Sequence, residues 1–440
     1  MSDNPQKARL TGQQSIVVGV TLFSMFFGAG NLILPPLLGL QAGAATPAAM
    51  AGFLVAGIGL PVLGIIAVAL SGTIRELAGR VHPVFGLVFT AAVYLAIGPF
   101  LAIPRTSSTS FEMLAPLLPA GSVDAARLVF SVAFFAVAFL LALRPNALTK
   151  LLGRVTGPAL IALIVLVVGG ALVAPTGTAG APQAPYDGVA GVQGFLTGYQ
   201  TMDLLASLTF GIVIAENIRQ LGVRDAAGLT REISKAGLFM GVLMALVYCG
   251  LAWVGASMGS VMPDAGNGAA VLTASATAHF GLAGTVVVAA IFLLACLNVC
   301  VGLVSCCSTF FHELAPRVPY AAWAFAFAAF SCVVSNFGLD AILAFSVPLL
   351  SALYPVAIVL VGMGMFRRAF EHLPQAWPWA VGVTALVSVA DSLRAALAPA
   401  AWLPFDVLPL ADVGLSWVLP ALAGLAVGVA HAKLRARARG

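Results

Sequence analysis

A chain of 440 residues that is 61% hydrophobic and only 8% charged cannot clothe itself in a water-facing surface. Soluble domains give roughly a quarter of their residues to charge. The net charge of +5 does not mark a nucleic-acid binder, because the basic residues are strung along the chain rather than gathered in a patch. No P-loop, HExxH, GxSxG or DDxxD-like cluster occurs, so there is no enzyme signal and ATP-driven transport within this chain is excluded.

The segment Met1 to Gln14 is short and polar, and the apolar run behind it lacks a small-residue cleavage site. No signal peptide is expected. No charged side chain occurs between Arg9 and Arg75, between Arg154 and Asp187, or between Lys235 and Asp264. A bilayer core takes about 20 apolar residues per helix, so each gap holds one or two spans. Twelve spans are expected, at about 14–40, 46–70, 84–104, 126–143, 155–174, 194–215, 236–257, 282–308, 319–335, 340–364, 377–398 and 414–432. They read as helices, since a helix satisfies its own backbone in hydrocarbon. The fold class expected is an all-α membrane protein.

With twelve spans, both termini share one face, and 18 of the 21 Lys and Arg fall on it. The others are Arg105, Arg127 and Arg394. This bias predicts cytoplasmic termini. Pro175 to Gln193 reads as an external loop and Val261 to Phe280 as an external surface helix rather than a span. The six cysteines lie in apolar runs without CxxC or His partners, and small apolar packing is expected of them. Hydropathy divides the chain into 14–174 and 194–364, five spans each, with 377–432 as two extra helices. An odd number of spans inverts the second half, an arrangement typical of secondary transporters.

The first span contains Phe27-Gly28-Ala29-Gly30-Asn31, followed by Pro35 and Pro36. Each glycine weakens a helix by about 1 kcal/mol relative to alanine. The expectation is a break, with one half-helix ending near Phe27 and another, capped by Asn31, starting near Leu32 with Pro35 in its opening turn. Carbonyls at the first end suit a cation and amides at the second a carboxylate. Close helix packing at Gly28 and Gly30 is the plainer alternative. The sixth span has a matching interruption, Gly198 to Asp203. A carboxylate inside a membrane segment is usually functional; Asp203 could bind a cation, carry a proton or pair with a neighbouring donor. In the eighth span, Ser305 with backbone carbonyls could complete an oxygen shell for Na⁺, or simply bond within its own helix. Arg105, in the external third-span exit, could pair with Glu112 as a gate or as a structural pair. Asp391 and Arg394 form an i,i+3 pair.

These residues carry a resemblance. The segment Phe27 to Gly43 (FGAGNLILPPLLGLQAG), together with Gly98-Pro99, Pro104-Arg105-Thr106, Ser110-Phe111-Glu112, Gly198-Tyr199, Thr201-Met202-Asp203, Asn267-Gly268-Ala269-Ala270 and Val334-Ser335-Asn336, resembles the branched-chain amino acid:cation symporter family. The resemblance implies a leucine-transporter-like fold of two inverted five-helix repeats with broken first and sixth helices. It implies Na⁺-coupled import of leucine, isoleucine and valine across a bacterial cytoplasmic membrane, with no cofactor beyond Na⁺ and no ATPase subunit. By the same resemblance, backbone at Phe27, Gly28, Ala29, Gly30 and Asn31 and at Tyr199, Gln200, Thr201, Met202 and Asp203 would hold the amino and carboxylate groups. Phe23, Phe27 and Phe210 would line the side-chain pocket. A sodium site would map to Ser24, Phe27, Val301 and Ser305, with Val304 standing where relatives often have Thr. Proton coupling through Asp203 is the first alternative, and an uncoupled sensor or facilitator the second.

Overall fold

The computed structural model describes residues 9–115, 119, 122–144, 151–398 and 402–438. Lys7, Lys150 and Arg439, which enter the charge bias, lie outside them. No strand occurs among the described residues. The helices are α1 Gly12–Phe26, α2 Ala29–Ala42, α3 Thr46–Leu54, α4 Leu60–Ser71, α5 Ile74–Gly79, α6 Pro83–Leu95, α7 Ala102–Glu112, α8 Val123–Ala142, α9 Gly157–Val173, α10 Ala190–Tyr199, α11 Asp203–Gln220, α12 Ala226–Ser257, α13 Gly268–Phe280, α14 Leu282–Leu314, α15 Tyr320–Ser335, α16 Leu339–Met365, α17 Ala376–Leu397 and α18 Val418–Arg437.

Among the described residues nine helices are long and apolar enough to cross a membrane, and the bent pair Ala190–Tyr199 and Asp203–Gln220 makes a tenth. Gly12–Phe26 and Tyr320–Ser335 are shorter apolar helices, and all of these fall at the positions of the expected spans. The apolar stretch Ala29–Ser71 runs 43 residues, about 65 Å as a straight helix, twice the ~30 Å of a hydrocarbon core. It turns back at Gly43, whose φ of 48° needs a glycine, so it is the end of span one followed by span two. Spans two, three and five each contain a π-helical turn, at Val55–Gly59, Ala96–Phe100 and Leu152–Thr156. In span three that turn includes Gly98, with non-helical backbone angles, and Pro99. The resulting bend aims α7 independently of α6. The helix α13 lies between spans seven and eight in the chain and begins at Gly268, inside the stretch expected to be helical. Its N-cap is Asn267, whose Oδ1 accepts from the Ala269 amide at 2.8 Å.

Two interruptions set the architecture. Span one breaks between Phe26 and Ala29, so the first half-helix ends one residue and the second begins three residues earlier than the sequence suggests. Asn31 is therefore not the N-cap of α2 but its third residue, and its side chain reaches back to accept from the Gly28 amide at 2.9 Å. This is half of a capping box, with the amide carboxamide in the role glutamate often takes. Pro35 and Pro36 consequently sit in the second turn of α2 rather than its first. They remove the N–H groups that would have bonded the Asn31 and Leu32 carbonyls. Span six breaks over Gln200, Thr201 and Met202, and its two halves meet at 41°.

Small residues hold α2 against α12. A Cβ on Gly39 would lie 2.0 Å from the Ala252 carbonyl oxygen, and one on Gly255 would lie 1.8 Å from that of Pro36. The helices touch backbone to backbone, which in lipid replaces the hydrophobic effect as the source of helix association. This contact places Tyr248, two turns earlier on α12, beside the break in span one.

Candidate functional site

The two breaks face each other across one polar network. Asn31 Nδ2 donates to Asp203 Oδ2 at 2.7 Å and makes a short contact with the Tyr248 hydroxyl. The Tyr248 hydroxyl donates to the same Asp203 oxygen at 2.9 Å. Asn31, Asp203 and Tyr248 are all buried. An unpartnered carboxylate at this depth would be very costly. Here neutral donors from spans one and seven satisfy it, and Asp203 in turn ties the two broken helices together.

The backbone around Asp203 is strained. Met202 has φ 67° and ψ 7°, a left-handed conformation that costs a residue with a Cβ about 1–2 kcal/mol. Such strain persists where the surroundings enforce it, commonly at functional positions. Thr201 buttresses the turn, its hydroxyl donating to the Gly198 carbonyl at 2.8 Å and accepting from the Asp203 amide at 3.4 Å. In span one, the Gly28 amide would close on the Ser24 carbonyl if the helix continued. It donates to Asn31 instead, so that carbonyl loses its helical partner.

A cavity of about 40 Å³ opens between the breaks. Its polar end is made by Gly28, Ala29, Gly30, Asn31, Arg105, Thr106, Thr201 and Asp203. Its apolar wall comes from Met25, Phe26, Ile97, Ala102, Met202, Ala206, Phe210, Val299 and Leu303. Phe26 and Phe210 meet edge to face with ring centroids 5.0 Å apart. Beyond Phe210, a second cavity of about 290 Å³ is lined by Thr209, Gly211 and Ile212 of α11, and by Arg75, Arg219 and Glu313, which lie toward the face that carries the termini.

Of the residues expected at the site, Gly28, Ala29, Gly30, Asn31, Thr201, Met202 and Phe210 line the cavity, with Asp203 and Arg105. Several others do not. Phe23 and Phe27 stack on each other at 5.0 Å, and Phe27 turns toward Tyr248, so Phe26 takes the wall position assigned to them. Tyr199 stacks on Tyr354 at 4.6 Å, outside the cavity. Gln200 contributes only its carbonyl, which accepts from Arg105 Nη1 at 3.1 Å. Arg105 is not at the external mouth but buried at the level of the breaks, and it does not pair with Glu112. Glu112 is two turns away along α7, about 10 Å. The Ser24 hydroxyl donates to the Leu152 carbonyl of span five at 3.2 Å.

The eighth span meets the cavity through residues other than those expected to hold the cation. Val299 and Leu303 line the cavity, and the Gly302 Cα faces Met25 of α1. Val301 and Ser305 lie about 160° and 120° around the helix from Val299, at ~100° per residue. The Ser305 hydroxyl is buried without a hydrogen-bond partner, on the side of Tyr320 of α15, and neither it nor Val304 lines the cavity. Sequence reasoning also missed Met25, Phe26, Ile97, Val299, Leu303 and Tyr248. Tyr248 had a signal, as one of few tyrosines inside an apolar run, but nothing named its partner.

The whole path of the chain resembles two solved carriers. One is Mhp1, a nucleobase-cation-symport-1 family transporter in a closed conformation with bromovinylhydantoin bound, with a TM-score of 0.61 and 13% identity over 99% of this chain and 96% of that one. The other is MhsT in complex with L-phenylalanine, with a TM-score of 0.56 and 16% identity over 98% and 99%. At these identities the likeness establishes the fold, a multi-pass membrane carrier architecture of the leucine-transporter type with broken first and sixth helices. The family model described as branched-chain amino acid transport protein matches residues 11–435. Relatives include the branched-chain amino acid permease BraB of Bacillus subtilis, 38% identical over 96% of each chain. The branched-chain amino acid transport system 2 carrier protein of Pseudomonas aeruginosa is 39% identical over 98% of each, and the permease BrnQ of Escherichia coli 36% over 94% of each. The chain belongs to the branched-chain amino acid transport protein family and is a carrier rather than an enzyme.

Proposed function

We propose that the protein is a symporter that imports leucine, isoleucine and valine across the bacterial cytoplasmic membrane, with both termini in the cytoplasm. The observation that carries this reading is the cavity between the breaks. Its polar end has Asp203 and the first amides of α2, which suit an ammonium and a carboxylate. Its wall of Met25, Phe26, Ile97, Phe210 and Leu303 suits a branched aliphatic side chain, and branched-chain amino acids are what the relatives' names state as their cargo. The basic bias of the termini-bearing face supports the orientation.

Transport would proceed by alternating access, with one helical bundle rocking about the broken pair. Phe26 and Phe210 would act as the inner gate, since both line the site while the neighbours of Phe210, Thr209 and Gly211, line the second cavity, and their parting would release cargo inward. We assign Na⁺ as the coupling ion. The Ser24 carbonyl at the end of α1, whose helical partner, the Gly28 amide, bonds Asn31 instead, supports an oxygen-ligated cation. A second reading has its own support: no hydroxyl of span eight lines the cavity, while Asp203 does, which favours H⁺ carried on Asp203.

Leucine uptake into proteoliposomes separates the two. Uptake that rises with an inward Na⁺ gradient at constant pH supports sodium. Uptake indifferent to Na⁺, driven by a pH gradient and abolished in Asp203→Asn while exchange survives, supports the proton. Absence of uptake under both gradients would refute import of this cargo.

A further inference from the structure

We propose that Arg105 is the carboxylate anchor of the transported substrate, binding it as a bidentate partner beside the first amides of α2. This rests on the amino-acid transport reading and specifies the cationic half of its site.

Arg105 belongs to α7, which the Gly98–Pro99 bend aims toward the breaks. The residue is 5% exposed, and it lines the cavity between the two interrupted helices. The Nη1 bond to the Gln200 carbonyl uses the unwound backbone of span six to orient the guanidinium. Nη2 then lies against the opening turn of α2. A Cβ on Gly30 would fall 2.0 Å from it and 3.3 Å from the Gln200 oxygen. Glycine at position 30 therefore does more than weaken the helix: it leaves the space in which an arginine side chain reaches the start of α2.

This guanidinium makes no direct ion pair within the protein, although Asp203 faces the same cavity and acts on it across that space. The ion pairs among the described residues engage Arg127, Arg219, Lys235 and Arg394, and no carboxylate lies within 4.0 Å of Arg105. Arginine does not deprotonate to escape burial. A buried charge without a hydrogen-bonded counter-charge costs several kcal/mol. In a chain with 8% charged residues, such a group at membrane depth asks for an anion from outside.

Three features select a carboxylate. The planar fork of the guanidinium matches two carboxylate oxygens. The amides that open α2 favour negative charge at the same point. Asp203 stands on the same cavity, with Oδ2 committed to Asn31 and Tyr248, and offers an anionic partner for an ammonium. A cation and an anion that share a cavity without touching are complementary to a zwitterion. The site would accordingly discriminate against cargo lacking either charge, whatever its side chain.

Calorimetric titration of the full-length protein in nanodiscs with leucine and with leucinamide, which has no carboxylate, tests this. The wild type is expected to bind leucine well and leucinamide poorly. Arg105→Gln should weaken leucine by about ten- to a hundredfold, the range of a charge-assisted hydrogen bond. It should change leucinamide little, so that the preference collapses. Arg105→Lys keeps a buried point charge and covers the case in which the glutamine variant does not fold. It should retain part of the preference, because a lysine lacks the fork. A wild type that binds both ligands alike, or a variant that weakens both by the same factor, overturns the assignment. A wild type that binds no branched-chain amino acid instead refutes the transport reading on which it rests.

Discussion

The Tyr248 hydroxyl of α12 donates to Asp203 Oδ2 at 2.9 Å, so the residue that opens the second half of span six is held from span seven. The Asn31 carboxamide donates to the same oxygen from span one. Three spans thus converge on one carboxylate. The movement of either broken helix has to carry this network along or take it apart.

Tyr248→Phe deletes one of these donors and changes the shape very little. A hydrogen bond to a charged group contributes about 1.5–3 kcal/mol. The variant should remain folded, with a lowered thermal midpoint, and its leucine uptake should fall at least several-fold. Thermal unfolding and uptake on the same preparation check both. Unchanged uptake would remove Tyr248 from the mechanism.

Phe26 and Phe210 meet edge to face on the wall of the site, and Thr209 and Gly211 on either side of Phe210 line the larger cavity. Phe210→Ala should weaken retention of bound substrate, seen as faster efflux of leucine from preloaded proteoliposomes. An efflux rate equal to that of the wild type would place the barrier elsewhere.

Gly255→Ala should be severely destabilising, because its Cβ would meet the Pro36 backbone oxygen at 1.8 Å and backbone cannot step aside. Gly362→Ala meets no atom within 4 Å and should be neutral or mildly stabilising, since alanine is the better helix former by about 1 kcal/mol. Expression and thermal midpoints of the two variants provide the comparison.

Ser305→Ala separates the positional sodium assignment from the geometry. With its hydroxyl beside Tyr320 rather than the break, the variant should keep the wild-type dependence of uptake on Na⁺ concentration. A tenfold rise in the Na⁺ needed for half-maximal uptake would return Ser305 to the cation site.

Outside the spans, Asp406 is held below the usual carboxylate range, first by the Leu403 amide and then by Arg394. Arg394 also pairs with Asp391, so one arginine ties α17 to the loop before α18. A depressed folded pKa gives stability that is complete above the unfolded value and is lost as pH falls through the folded one. Asp406→Asn should therefore lower the thermal midpoint slightly at neutral pH and match the wild type in strong acid. A difference that grows on acidification would contradict this.

The spans were legible because their apolar runs are long and their charges fall between them. The break at Gly28 to Asn31 was legible because glycines and an asparagine do not belong in the middle of a lipid-facing helix. Helix phase was not legible. Whether Phe26 or Phe27 faces the cavity, and that span eight presents Val299 and Leu303 to it, depends on rotations that a nearly all-apolar helix does not encode, because every face looks buried. Asn31 was misplaced by three positions because it caps from inside α2, not from before it. Arg105 was placed at the surface because charge usually marks an interface, and its burial becomes intelligible only beside Gly30 and Gln200, which are distant in the chain.

The central claim is that the cavity between the broken helices carries branched-chain amino acids coupled to an ion gradient. Radiolabelled leucine uptake into proteoliposomes of the purified protein, with and without an inward Na⁺ gradient, tests it most directly. The account predicts concentrative uptake under the Na⁺ gradient, competed by isoleucine and valine but not by lysine or aspartate, and lost in Asp203→Asn. Uptake that never exceeds the external concentration under any ion gradient, or that survives intact in Asp203→Asn, would contradict it.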